Sequence, residues 1–216
     1  MRCIPYVHDW IWQDNFENER LYYKYLIEKE LEEDPIGRKI SNIGGYQTKD
    51  NLNHKEQYKK LVEIIEQQST QIHSQLELIP EVKFTVMNMW GNINWSGNLN
   101  SVHQHTNPPS EDRISSSSVI SGVYYLQLPN NSGSTGFLKN KVNYSNLSLE
   151  PSTVKIPEIF LQNYNNQLLK SSYEYQSREG DLIMFFSDVL HYVAPSDIGN
   201  NRRITISFNL GLELNK

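Results

Sequence analysis

The chain has 216 residues, 38% of them hydrophobic, with 20 Lys and Arg against 25 Asp and Glu and a formal net charge of −5. That length allows one substantial core and leaves little room for a second full domain. An acidic balance offers nothing to neutralise a phosphate backbone, so duplex nucleic acid is not an expected partner, and no apolar run approaches a membrane span.

A single cysteine, Cys3, rules out an intrachain disulfide and a Cys-x-x-Cys metal site. The first residues hold no apolar signal core, so a cytoplasmic protein is the expectation. Residues 1–12 are aromatic and broken by Pro5, which fits an edge strand or an arm lying on the core. From Asp14 through Glu33, the positions Phe16, Leu21, Tyr22, Tyr25, Leu26 and Leu31 recur at helical spacing among carboxylates, and Asp34-Pro-Ile-Gly37 ends that helix. Asn42-Ile-Gly-Gly-Tyr-Gln47 is a glycine turn without the Lys-Ser of a phosphate loop. His54 to Leu76 predicts a second helix, with Tyr58, Leu61, Val62, Ile65, Ile72 and Leu76 on its buried side.

Beyond Pro80 the periodicity falls from helical to two. Val82 to Trp90 alternates as a strand, and Asn88, Trp90, Asn92 and Asn94 continue along one face of it. Gly97 to Asn100 reads as a loop, Val119 to Leu128 as a strong strand, residues 131–150 as a hairpin and surface loop, and Phe160 to Lys170 as a short helix or lid. Leu182 to Phe186 predicts a buried strand launched by the turn Arg178-Glu-Gly-Asp181, and His191 follows it before Pro195 stops regular pairing. Two motif-free helices followed by six to eight strands predict an α+β, mostly β, architecture with the strand count of a jelly roll. The expected organisation is one domain over 1–216, with 1–80 as helical support and 81–216 as the β core.

The last strand is the most explicit. From Arg203 to Leu210 the residues alternate strictly, so Arg203, Thr205, Ser207 and Asn209 share one face while Ile204, Ile206, Phe208 and Leu210 share the other. A cation leading a polar stripe in an otherwise apolar segment calls for an anionic partner, because burying it alone is costly. His103 and His105 are one residue apart, so on an extended segment both imidazoles point the same way. If their strand neighbours the one carrying His191, three imidazoles converge, a donor set that suits Fe, Zn, Cu and Ni alike. The alternative is a pair of surface histidines on a loop.

His103-Gln-His105, Ser121-Gly-Val-Tyr-Tyr-Leu126, Glu179-Gly-Asp-Leu-Ile-Met-Phe-Phe186, His191 and Arg203-Ile-Thr-Ile-Ser-Phe208, in that order, resemble the double-stranded β-helix of the 2-oxoglutarate- and Fe(II)-dependent dioxygenases. The resemblance covers about residues 82–212, with Asn42 to Gln47 matching a weaker upstream element. It implies Fe(II) and 2-oxoglutarate as cofactors, O2 and a small-molecule or peptide substrate as partners, and hydroxylation with release of succinate and CO2. It implies His103 and His191 as metal ligands and Arg203 as the partner of the cosubstrate's distal carboxylate. Thr205 or Ser207 can add a hydroxyl to that carboxylate, and Tyr124 or Tyr125 a phenol. His105 stands where the family pattern has Asp or Glu. The third ligand is therefore either His105 itself or a carboxylate from the following loop, Glu111 or Asp112. Asp188 is a candidate acceptor for the N–H of His191, and Asn88, Trp90, Asn92 and Asn94 are candidates for the substrate mouth. No catalytic residue beyond the metal site is expected.

Two other readings use the same residues. A cupin-like three-histidine metalloenzyme would hold its metal with His103, His105 and His191 and a substrate carboxylate with Arg203. A non-catalytic jelly-roll module would bind through its Asn-, Trp- and Tyr-rich face. Substrate and oligomeric state are not written in the sequence; a homodimer is one assembly left open.

Overall fold

The computed structural model describes residues 2–6, 9–105, 118–138 and 172–214. Among these residues two helices and twelve strands follow in the order β1 (Arg2–Tyr6), β2 (Asp9–Asn15), α1 (Arg20–Glu33), β3 (Asn42–Ile43), β4 (Tyr46–Gln47), α2 (Lys59–Gln75), β5 (Val82–Asn94), β6 (Leu99–His103), β7 (Ile120–Gln127), β8 (Thr135–Leu138), β9 (Ser172–Tyr175), β10 (Asp181–Phe186), β11 (His191–Val193) and β12 (Arg203–Leu214). The strands form a seven-stranded sheet in the order β1-β2-β10-β7-β12-β5-β4 and a five-stranded sheet in the order β3-β6-β11-β8-β9. Every ladder is antiparallel. The eight strands after residue 81, four in each sheet, make the double-stranded β-helix. Among the described residues no helix is long and apolar enough to cross a membrane.

Both helices pack on the outer face of the larger sheet. Tyr23 and Ile27 of α1 and Leu61, Ile65 and Ile72 of α2 join Met89, Ile93, Tyr124, Ile204, Ile206, Phe208 and Leu210 in one core. A smaller core lies between the sheets, built from Ile11, Tyr125, Phe137, Tyr175, Ile183, Phe185 and Val189. Gly91 allows α1 to approach β5 this closely: a Cβ there would come within 2.4 Å of the Ile27 side chain.

Several expectations shift. The first helix starts at Arg20, not Asp14, because residues 9–15 form a strand between β1 and β10, with Leu182 opposite Asp14 and Met184 opposite Trp12. Leu21, Tyr22 and Tyr25 are exposed, and the helix buries Tyr23 and Ile27 instead. The second helix starts at Lys59, after two short 3-10 turns at Leu52–His54 and Glu56–Tyr58. Leu99 and Asn100 belong to β6 and not to a loop. The segment before residue 80 is also not purely helical, since β1, β2 and β4 extend the larger sheet and β3 the smaller one. Asn42 to Gln47 is the crossing point: β3 and β4 flank Gly44 (φ 78°), a left-handed position that favours glycine, and so the two sheets are bridged. Phe160 to Lys170 and all of 139–150 lie outside the described residues.

Candidate metal and cosubstrate site

The polar stripe of β12 faces the space between the sheets. Antiparallel register sets Asn209 opposite Asn88 of β5 and Ser121 of β7, and Thr205 opposite Asn92 and Tyr125. Together with the rim of the smaller sheet, these residues enclose a pocket of about 450 Å³ lined by Asn88, Trp90, Asn92, His103, His105, His191, Arg203, Thr205, Ser207 and Asn209, among others.

The three histidines meet there. His191 opens β11 directly opposite His103, the last residue of β6. The backbone N–H of His105 donates to the carbonyl of Ser187 at 2.8 Å, folding the chain beyond β6 back toward the end of β10. Ring centroids are 4.3 Å apart for His103 and His191, 4.8 Å for His105 and His191, and 5.0 Å for His103 and His105. One ring nitrogen from each lies within 4.8 Å of the others. Phe185 lies edge-on to His191 and Trp90 edge-on to His105, so the cluster has aromatic walls.

The other ring nitrogens are committed. Nδ1 of His103 meets the carbonyl of Ser101 at 2.7 Å and Nδ1 of His191 the carbonyl of Val189 at 2.9 Å. A carbonyl only accepts, so both Nδ1 atoms donate and the lone pair rests on Nε2. Nδ1 of His105 sits 2.8 Å from Asn209 Oδ1 and 2.9 Å from Ser121 Oγ. Burial holds all three imidazoles below their ordinary pKa. His105 is pushed down to about 4, by burial first and by His103 second, and His191 is lowered further by its two neighbours. Neutral imidazoles whose Nδ1 atoms are each bonded elsewhere form a donor set suited to a divalent transition metal.

Arg203 is only 2% exposed. Its Nε donates to the carbonyl of Gly133 at 3.1 Å, its Nη2 to Thr135 Oγ1 at 3.3 Å, and its guanidinium stacks 5.5 Å from the Tyr125 ring. Gly133 is required there, since a Cβ would sit 1.7 Å from the Ala194 carbonyl oxygen. Among the described residues no carboxylate pairs with Arg203, and desolvation lowers its pKa. Arg202 points the other way, onto Glu28 of α1.

Not every candidate reaches the pocket. Tyr124 is on the helix-facing side, its hydroxyl donating to the Phe16 carbonyl, so of the two tyrosines only Tyr125 stands beside Arg203. Asn94 is buried and bonded to Asn100, whereas Asn88, Trp90 and Asn92 line the opening. Asp188 is exposed, and the Val189 carbonyl takes the role considered for it. Glu111 and Asp112 lie outside the described residues. Thr135, Gly133 and the Asn209–Ser121 pair gave no sequence signal of their own, although Asn209 was already on the polar stripe.

A family model described as "Putative 2OG-Fe(II) oxygenase" matches residues 88–209, more than half of the chain. The chain belongs to this family. It is thus an Fe(II)- and 2-oxoglutarate-dependent oxygenase, which takes O2 and a further substrate, and the readings as a different cupin-like enzyme or a non-catalytic module give way. The oxygenase is similar in fold to several solved structures. A Pseudomonas putida prolyl-4-hydroxylase shares 14% identity over 93% of this chain and 91% of that one, at a TM-score of 0.56. HygX from Streptomyces hygroscopicus, with nickel and 2-oxoglutarate bound, shares 9% over 93% and 82%, at 0.58. A prolyl hydroxylase from Trichoplax adhaerens, in complex with a hypoxia inducible factor peptide fragment, shares 12% over 93% and 83%, at 0.59. No match was found among curated proteins.

Proposed function

We propose that the oxygenase holds Fe(II) through Nε2 of His103, His105 and His191, and anchors the distal carboxylate of 2-oxoglutarate on Arg203. One observation carries this reading: a buried guanidinium without a described anionic partner lines the same pocket as three imidazoles whose Nδ1 atoms are bonded elsewhere. A guanidinium has five N–H donors in a planar fork, and Arg203 spends only two on Gly133 and Thr135. The remainder can receive a carboxylate at both oxygens, and Thr205 and Ser207 line the same wall. Tyr125 flanks the guanidinium and hydrogen-bonds Thr135 at 2.8 Å, fixing the back of the subsite.

When bound, iron and 2-oxoglutarate supply the oxidising power, with O2 consumed and succinate and CO2 released. The chain's own residues then orient and exclude. Phe185 and Phe137 close the side of the cluster behind His191 and keep water from it. Asn88, Trp90 and Asn92 form a polar, aromatic rim for the substrate. The same reading takes the chain as a single catalytic domain, supported by a core that joins Trp12, Tyr23 and Leu61 to the strands after residue 81.

The test is succinate formation from 2-oxoglutarate by the purified, iron-loaded protein under O2. Slow Fe(II)-dependent turnover without added substrate, blocked by N-oxalylglycine, is the expected result. Absence of both turnover and cosubstrate binding overturns the assignment of Arg203.

A further inference from the structure

An imidazole in the place of a carboxylate ligand brings a difficulty of its own. A carboxylate offers oxygen lone pairs in either orientation, but a neutral imidazole has a single lone pair, and it serves the metal only if the other nitrogen carries the proton. His103 and His191 solve this locally, each donating to the carbonyl two residues upstream, Ser101 and Val189. His105 has no such bond. Its Nδ1 is met by side chains that arrive from two other strands.

We infer that Asn209, backed by Ser121, is the positioning residue that makes His105 a competent metal ligand. This rests on the metal reading above. Asn209 stands in the middle of a three-strand row, directly opposite Asn88 on one side and Ser121 on the other. Its Nδ2 donates to Asn88 Oδ1 at 2.9 Å, which turns Oδ1 toward His105. That oxygen accepts from the Ser121 hydroxyl at 2.8 Å and lies 2.8 Å from His105 Nδ1. Behind it, Ser121, Ser187 and Ser118 continue as a buried hydroxyl chain, with Oγ separations of 2.8 Å and 2.5 Å. Ser121 is fully buried and Asn209 is 7% exposed, so little water competes for these bonds.

The row holds the ring and selects its tautomer. Every member is a side chain able both to donate and to accept, so the network has a second self-consistent arrangement, with the amides reversed and the His105 proton on Nε2. Only the arrangement with Asn209 Oδ1 toward His105 leaves Nε2 free. Replacing Asn209 by Asp removes the choice, because a carboxylate can only accept. Replacing it by Leu removes the amide acceptor while roughly preserving volume, and leaves His105 Nδ1 with the Ser121 hydroxyl, which can donate as well as accept and so no longer selects the tautomer.

The experiment is a Co(II) titration of the metal-free full chain, followed by visible d–d absorption, with Fe(II) competition. Asn209→Leu should weaken metal binding about 10- to 100-fold, the usual cost of losing a partner behind a ligand, and change the Co(II) spectrum. Asn209→Asp should bind at least as tightly as wild type. Ile65→Ala, in the outer core away from the pocket, serves as the structural control: its melting temperature should fall while its Co(II) affinity stays at the wild-type value. An Asn209→Leu protein with unchanged affinity and spectrum overturns the inference. So does Asn209→Asp binding ten times more weakly than wild type, which decides the matter even if the Leu variant does not fold. Wild-type protein that takes no Co(II), indistinguishable from His191→Ala, instead sinks the metal reading and this inference with it.

Discussion

Strands β5, β7 and β12 carry two different surfaces back to back. On the helix-facing side Met89, Ile93, Tyr124, Ile204, Ile206 and Phe208 are fully buried against α1 and α2. On the other side the same three strands present Asn88, Trp90, Asn92, Ser121, Tyr125, Arg203, Thr205, Ser207 and Asn209, most of them to the pocket. Adjacent residues therefore do unlike work. One face obtains its stability from apolar burial, and the other accepts buried polar groups and a cation with no anionic partner among the described residues. Stability and binding should thus be separable by mutation, one side chain at a time.

The sharpest break is at the site. His191→Ala removes the imidazole that touches both others, and on the proposed ligand set the protein should fold yet hold no stoichiometric Fe(II) after anaerobic loading and desalting. Metal retained at one equivalent counts against the cluster. Next comes Arg203→Ala, which should leave metal affinity intact and cost about 3–5 kcal/mol of 2-oxoglutarate affinity, the usual loss when one partner of a buried charged pair is removed. Calorimetric titration of the Co(II)-loaded protein reads it. Because Arg203 has no described anionic partner without cosubstrate, the melting temperature of the metal-free variant should hold or rise.

The opposite face answers differently. Ile65 of α2 is fully buried in the outer core, and Ile65→Ala should cost about 2–5 kcal/mol of stability through lost burial and a cavity. Below its melting transition the variant should bind Co(II) and 2-oxoglutarate like wild type. A matching loss of metal affinity would mean that the two faces are not independent.

The sequence made one face of this comparison much plainer than the other. The stripe Arg203, Thr205, Ser207 and Asn209 could be read directly, because strand alternation assigns residues to faces without reference to any neighbour. Co-orientation of His103 and His105 followed from the same parity, His191 stood out beside the buried strand Leu182 to Phe186, and the resemblance to the oxygenases implied its role as a ligand. The buried side of α2, with Leu61, Ile65 and Ile72, could also be read, but the packing of α1 could not, since apolar residues surround that helix: Leu21, Tyr22, Tyr25 and Leu26 compete with Tyr23 and Ile27, and Gly91 makes the room that Ile27 fills. Nor could the pairing of residues 12–15 with β10 be foreseen, because nothing local specifies a partner more than 160 residues away. Thr135 escaped for the same reason: it reaches Arg203 only through tertiary contact.

Tyr124 and Tyr125 give the finest version of the comparison, since they are neighbours in sequence on opposite faces of one strand. Parity alone could not choose between them, and the ladder to β12 does so by setting Tyr125 opposite Thr205 and Tyr124 opposite Ile206. Each hydroxyl makes one hydrogen bond, Tyr125 to Thr135 and Tyr124 to the Phe16 carbonyl, so each Tyr→Phe change should cost about 1 kcal/mol of stability. Their effect on binding should differ. In Tyr125→Phe, Thr135 loses its phenol partner and is freer to turn away from Arg203, so the affinity for 2-oxoglutarate should fall severalfold while that for Co(II) does not. In Tyr124→Phe both affinities should stay at the wild-type value, because its ring is packed against Tyr23 beneath the helices. Equal losses of 2-oxoglutarate affinity in the two variants would show that the tyrosines act through general stability, and the two surfaces would then have to be treated as one.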